Sequence, residues 1–383
     1  MIGGRIVALL AFGAWIWCVA GIARRLGCSR TDAAFGALTL AATMFVFSDV
    51  YVGVDDPQIL GHALQALGVF VLLRRPRTFW PVLVCAALIT AGVFVKHNLV
   101  AMPMAAVVWL WLVDRRSAWR LAAAGGALAV LAAALCVKTF GPQFASQVLA
   151  PRDYLPAKAL SMSAQWLGRT ALPLAVCAWV AGARLRGDAG RFVLSYAVAA
   201  IACGAFFAGG AGVYLNTMFD ADCAVALAVA VALHAAASTP SRTTRWMVVG
   251  SSLAAPALAL ALSASIHWLS PRFWFDPRWS ETAAAAREIE FVRGRPGPAM
   301  CEDLSICYWA GKPIEADVFN LQQRARREPW RVEMLARRVE AREFSVALVE
   351  ERAQSLGPRF ADALRKNYRV DHTSQWGEVW VPR

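Results

Sequence analysis

Two adjacent carboxylates stand just before a proline in Asp55-Asp56-Pro57-Gln58, and an otherwise apolar stretch follows. Within it Gln58, His62 and Gln65 recur at i, i+4 and i+7. On a helix that spacing makes one polar stripe. A polar stripe against lipid is costly, so it is expected to face protein or a water-filled cavity. The acids have a plainer reading too: carboxylates favour a helix N-terminus, and proline suits the first turn. Both readings stand.

A second group is Lys96-His97-Asn98, a short connection between two apolar runs in which Lys96 is the single Lys or Arg. A lone cation can pair with an acid such as Asp56, or hold a phosphate as a point charge, which is the preferred reading. A third is Gly209-Gly210-Ala211-Gly212, followed by Asn216 and Asp220 at i, i+4. Glycine allows close backbone approach to a ligand, and the two polar residues share a face if helical. Its plainer reading is a flexible turn with a helix cap. The fourth is Cys301 and Cys307. The intervening five residues allow a bridge if the chain turns, and in an oxidising space such a pair bridges more often than it binds metal. The other cysteines are mostly single and inside apolar runs, and no Cys/His metal spacing occurs.

The elements that position these groups are read from hydropathy. The chain is 58% hydrophobic and 17% charged, with mean hydropathy +0.47. That is too apolar for a soluble core alone. Apolar runs fall near 6–23, 33–48, 57–73, 80–95, 99–113, 121–137, 171–183, 192–208, 222–237 and 246–266. They predict about ten transmembrane helices. The net charge of +13 is concentrated in short loops: Arg24, Arg25 and Arg30; Arg74, Arg75 and Arg77; Arg115, Arg116 and Arg120; Arg184, Arg186 and Arg191; Arg242 and Arg245. These alternate without a break with loops holding Asp49, Asp55 and Asp56, then Asp153, then Asp220 and Asp222. The alternation is the positive-inside pattern, which outweighs a nucleic-acid site. It puts the acidic loops, the N-terminus and everything after about residue 267 outside the cytoplasm.

The external loop 138–170 contains an amphipathic stretch near Ala157–Leu167 that could lie on the membrane surface. From Pro271 the composition becomes that of a soluble domain. Helices are expected over 279–293, 321–342 and 358–367, and strands over 299–302, 344–349 and 378–381. The fold class is therefore mainly α: a transmembrane bundle over 1–267 with a small extracytoplasmic α/β domain over 268–383.

These residues resemble the C-type membrane glycosyltransferases, the superfamily of protein O-mannosyltransferases and the lipid A aminoarabinose transferase. Gly4-Arg5-Ile6-Val7 is similar to that pattern's first element, Arg24-Arg25-Leu26-Gly27 to its Arg-rich loop, Asp56 to its external acid, and Val95-Lys96-His97-Asn98 to its helix-ending lysine. The stretch from Gly212 and Val213 to Asn216 and Asp220 resembles one seen in bacterial members. The resemblance implies transfer of a sugar from a polyprenyl-phosphate donor to an acceptor outside the cytoplasm. Its partners are that lipid-linked sugar and membrane lipid, and its setting is a bacterial inner membrane. Asp55, Asp56, Lys96, His97, Asn216 and Asp220 are then the donor- and phosphate-binding candidates. No cofactor is certain, no metal site is named, and there is room for a divalent cation.

The superfamily carries its catalytic base on a long loop after a further first helix. The chain begins where that loop should end, so either the true start lies upstream of Met1 or the chain is an incomplete member, and as given it is expected to show little transfer activity. Asp153, beside Arg152 and Tyr154, is the substitute base, with a surface ion pair as its plainer role. The alternatives are a non-catalytic assembly or scaffolding subunit and, less favoured, a transporter, for which no internal repeat is visible.

Overall fold

A computed structural model describes residues 2–54, 56–74, 78–141, 143–149, 152–182, 187–237, 242–262, 279–350 and 356–383. Asp55, Arg75, Arg77, Arg184, Arg186 and the start of the soluble composition at Pro271 lie outside the described residues. The chain divides into two compact units. One comprises Met1–Val148 and Tyr154–Ile266, the other Leu149–Asp153 and His267–Arg383.

The first unit is helical: α1 (Ile2–Arg25), α2 (Arg30–Phe47), α3 (Gln58–Leu72), α4 (Phe79–Val95), α5 (Ala101–Val113), α6 (Arg115–Phe140), a short α7 (Gln143–Val148), α8 (Pro156–Ala181), α9 (Asp188–Ala208), α10 (Phe219–Ala236) and α11 (Arg242–Leu262). Each expected apolar run falls on one of the ten longer helices. Five of them, in α1, α6, α9, α10 and α11, are long and apolar enough to cross a membrane by length and composition. Polar residues set the ends. Ser29 Oγ accepts from the Asp32 N–H at the start of α2, and Asp114 accepts from the N–H groups of Arg116 and Ser117 at the start of α6. These satisfy donors that have no partner within the helix.

The helix α10 is buried almost all round, packed by α1, α2, α8, α9 and α11. By contrast α6 is mostly exposed. Large apolar residues such as Leu10, Trp17, Trp80, Val130 and Leu131 face outward, as they do where lipid rather than water is the solvent. Gly61 and Gly92 let α3 and α4 meet closely. A Cβ at Gly92 would stand 2.8 Å from the Gly61 carbonyl and 2.6 Å from Gln65 Cγ.

The stretch Ala157–Leu167 is not a separate surface helix. It is the first half of the 26-residue α8. Its polar residues have partners that remove the need for a break: Lys158 Nζ donates to the carbonyls of Gly210 (3.0 Å) and Val213 (2.7 Å).

The second unit contains α12 (Trp279–Arg293), β1 (Ala299–Cys301), α13 (Leu304–Trp309), α14 (Val318–Arg324), α15 (Pro329–Glu340), β2 (Val346–Val349), α16 (Pro358–Asn367), β3 (Tyr368–Ser374) and β4 (Gly377–Pro382). The sheet order is β1-β2-β4-β3, with β1 and β2 parallel and the other pairs antiparallel. Both β1 and β2 are wholly buried, as parallel strands covered on two faces are. The helix expected over 321–342 is broken in two. Pro329 disfavours helical backbone at Glu328, whose φ is −129° and ψ 60°. The strand β3 was not expected. Tyr-Arg-Val-Asp-His-Thr-Ser is too polar to signal one, and its pairing with β4 comes from the backbone.

His372 on β3 ties α12 to the sheet. Its Nε2 lies 3.0 Å from Glu288 on α12, and its Nδ1 2.9 Å from Asp371, which also lies 3.9 Å from Arg295. Partial burial would lower its pKa, but the bonds to Asp371 and Glu288 outweigh this and raise it above the usual value. A group whose folded pKa is raised stabilises the fold below the unfolded pKa, about 6.5, and loses that contribution as pH rises through the folded value. Amide exchange of α12 should therefore be slower at about pH 6 than at about pH 9, beyond intrinsic chemistry, and His372→Gln should flatten the difference. An unchanged difference in His372→Gln would remove the histidine from this role.

Candidate functional site

The polar stripe of α3 is turned inward. Gln58, His62 and Gln65 are all buried, at 1%, 2% and 0% exposure. Each is met by a partner far away in sequence. Gln58 Nε2 donates to the Asn216 carbonyl (2.6 Å), and Asn216 Nδ2 returns a bond to Gln58 Oε1 (2.7 Å). This reciprocal pair joins the start of α3 to the 3-10 turn Leu215–Met218 that leads into α10. His62 stacks on Trp15 of α1 with ring centroids 4.7 Å apart. Its Nε2 lies 3.3 Å from Gln58 Nε2, and its Nδ1 lies 3.7 Å from Asp220 Oδ1. The amide can only donate, so Nε2 accepts and the ring proton sits on Nδ1, facing the carboxylate. Asp220 Oδ1 also accepts from the Tyr196 hydroxyl on α9 (2.6 Å).

At the end of this network lies an ion pair. Lys96 Nζ is 3.3 Å from Asp56 Oδ1 and 3.4 Å from Oδ2, and about a quarter of each side chain is exposed. Asp56 Oδ1 also accepts from the Gln58 N–H (2.7 Å), so it caps α3 while it holds the lysine. The turn carrying Lys96 is pinned to α3: Gln65 Nε2 donates to the Leu99 carbonyl (2.7 Å), and Leu99 lies over Gly61, where a Cβ would come within 2.4 Å of Cδ1. His97 is exposed on the same turn. Of the candidates, Asp56, Lys96, Asn216 and Asp220 are thus gathered around the start of α3.

The Tyr154 ring fills the space at Gly209, where a Cβ would stand 2.5 Å from it, and Leu155 N–H donates to the Gly209 carbonyl (2.8 Å). Asp153 belongs to the second unit, where its N–H donates to Gln323 Oε1 (3.0 Å). In the same unit Cys301 and Cys307 are joined as a disulfide, with Cα atoms 5.8 Å apart.

Tyr196, Trp15 and Arg169 were missed. Tyr196 stands alone in an apolar run, a weak signal. Arg169 lies just ahead of the run at 171, so the run boundary placed it in a loop. It is instead part-buried on α8, with Nη2 3.2 Å from Asp222 Oδ2, while Trp166 Nε1 donates to Asp222 Oδ1 (2.8 Å). Asp220 and Asp222 therefore anchor opposite faces of the first turn of α10.

Over 99% of its length the chain superposes on 83% of ArnT from Cupriavidus metallidurans, a crystal structure solved bound to undecaprenyl phosphate, with a TM-score of 0.60. The chain has the ArnT fold. The two sequences are 15% identical, so the likeness is one of architecture. No protein-family model matches this sequence, nor does any curated protein. With five helices long and apolar enough to cross a membrane, and large apolar side chains facing outward, the chain is an integral membrane protein.

Proposed function

We propose that this protein transfers a sugar from a polyprenyl-phosphate donor to an acceptor hydroxyl at the extracytoplasmic face, with Lys96 taking the donor phosphate. The observation that carries the reading is the Lys96–Asp56 pair, half-open at the end of a buried polar network, in a fold shared with a protein solved on undecaprenyl phosphate. A partly exposed pair of this kind contributes about 0–1 kcal/mol. A phosphate offers more charge and more acceptor atoms than one carboxylate, so it can replace Asp56 on the ammonium. The acceptor hydroxyl attacks the anomeric carbon, its proton passing to a general base. The bond from that carbon to the phosphate oxygen breaks, and the lipid phosphate leaves with the electron pair. Lys96 stabilises the charge that develops there, and Asp56 orients Lys96.

The test is direct. Purified protein given a polyprenyl-phosphate sugar and mixed acceptors should release free polyprenyl phosphate, at a low rate where no general base is in place. Binding of the lipid with no release under any acceptor would instead favour a non-catalytic lipid-binding subunit.

The orientation proposed from charge places Arg24, Arg25, Arg115, Arg116, Arg242 and Arg245 in the cytoplasm, and Asp56, Lys96 and the second unit outside. The Cys301–Cys307 disulfide supports an oxidising location for that unit. Phosphatase fused after residue 383 should be active and fused at residue 245 inactive; the opposite pattern would reverse the topology.

A further inference from the structure

Between α2, α8, α10 and α11 lies a cavity of about 20 Å³ whose lining includes Thr39, Thr43, Arg169, Thr170, Asp222 and Ser252. Thr39, Thr170 and Ser252 stand roughly midway along their helices. An ionisable pair buried inside a membrane bundle is costly and calls for an account of every polar atom.

The polar atoms do not balance without a further group. Arg169 places its guanidinium over the Phe47 ring (5.0 Å) and gives Nη2 to Asp222, yet its Nε is buried with no protein partner. Three of the lining hydroxyls are spent in the other direction. Thr39 donates to the Phe35 carbonyl, Thr170 to that of Trp166 and Ser252 to that of Val248, at 2.9, 2.8 and 2.7 Å. Each hydroxyl oxygen therefore offers only lone pairs. Prolines add acceptors. Pro173 lies inside α8 and Pro256 inside α11, and both line the cavity. Proline has no N–H, so the carbonyls four residues earlier, those of Arg169 and Ser252, lose their helical donors. Both residues also line the cavity.

The cavity is thus rich in acceptors, and Arg169 Nε is a buried donor in it without a protein partner. An anion does not fit, because Asp222 and the acceptor oxygens repel it. A cation is opposed by Arg169. We infer that this is a binding site for a single water molecule, which accepts from Arg169 Nε and donates to the acceptors left by the hydroxyls and the proline breaks. The volume suits one water, which needs roughly 10–15 Å³ and about two to four polar partners. Such a water lets α8 and α11 carry proline inside the bilayer at one shared level. The inference is independent of the proposed transferase activity.

The test is a structure of the full-length protein in lipid nanodiscs, at a resolution that shows ordered waters elsewhere in the protein. A peak is expected about 2.7–3.2 Å from Arg169 Nε. An empty cavity, or Nε bonded to a protein oxygen, overturns the inference. Arg169→Lys keeps a cation for Asp222 but puts a methylene where Nε stood, so the peak should vanish. A peak that persists would show that Nε does not hold it. Should that variant fail to fold, Thr39→Val removes one acceptor at nearly constant volume and should weaken the peak; an unchanged peak there counts against the site.

Discussion

Lys96→Ala lowers affinity for undecaprenyl phosphate by about 10- to 100-fold, the loss of one hydrogen bond to a charged group worth about 1.5–3 kcal/mol. The lysine is held ready rather than buried: Asp56 neutralises it, Gln65 and Leu99 fix its turn, and its side chain remains about a quarter exposed. Lys96→Arg should keep most of the binding, since a point charge on phosphate tolerates a guanidinium better than no cation at all. Asp56→Asn keeps an acceptor for the Gln58 N–H and so leaves α3 capped, but it removes the charge that orients Lys96. It should change binding less than Lys96→Ala does. Native mass spectrometry or fluorescence titration with undecaprenyl phosphate measures all three. Equal affinity in the wild type and Lys96→Ala would end the phosphate assignment, leaving the pair as a helix cap and a strut.

Asp222→Leu destabilises the helical unit by about 3–5 kcal/mol, because it leaves Arg169 as an unpaired charge in the bundle. Arg169 has a 9% exposed side chain and Asp222 a 1% exposed one, so bulk water reaches the pair poorly, and one ordered neutral water does not replace a carboxylate. Trp166 Nε1 loses its acceptor in the same substitution. Asp222→Asn retains an acceptor for the indole and should cost less. Asp222→Leu combined with Arg169→Met removes both charges together and should recover most of the loss. Thermal unfolding in one fixed lipid or detergent separates these variants. An Asp222→Leu protein as stable as the wild type would mean that Arg169 finds lipid or solvent by itself and that the pair anchors nothing.

Composition and periodicity were enough for the membrane architecture. Ten apolar runs became ten helices because a bilayer forces backbone groups to bond within the segment, which makes hydropathy a local signal. The inward turn of Gln58, His62 and Gln65 was legible for the same reason: polar side chains in an apolar helix must find protein. The soluble elements were harder. The helical pattern ran through Glu328, where one proline ended it, and β3 depends on a partner strand rather than on its own residues.

What only the tertiary structure decided is which groups meet. Gln58 and Asn216 are 158 residues apart, and nothing in either local sequence names the other. Lys96 reaches Asp56 because Gly61 and Gly92 let α3 and α4 close to contact distance, a packing event invisible to spacing. Arg169 looked like a loop residue because the apolar run ahead of it sets in only at 171, and a charge gives no local sign of a partner on another helix. Its place inside the bundle rests on Asp222, on another helix, and on the Phe47 ring. Long-range pairing of polar groups is what a low-dielectric interior demands, and it is written in the packing of α1, α3, α8, α9 and α10, not along any one of them.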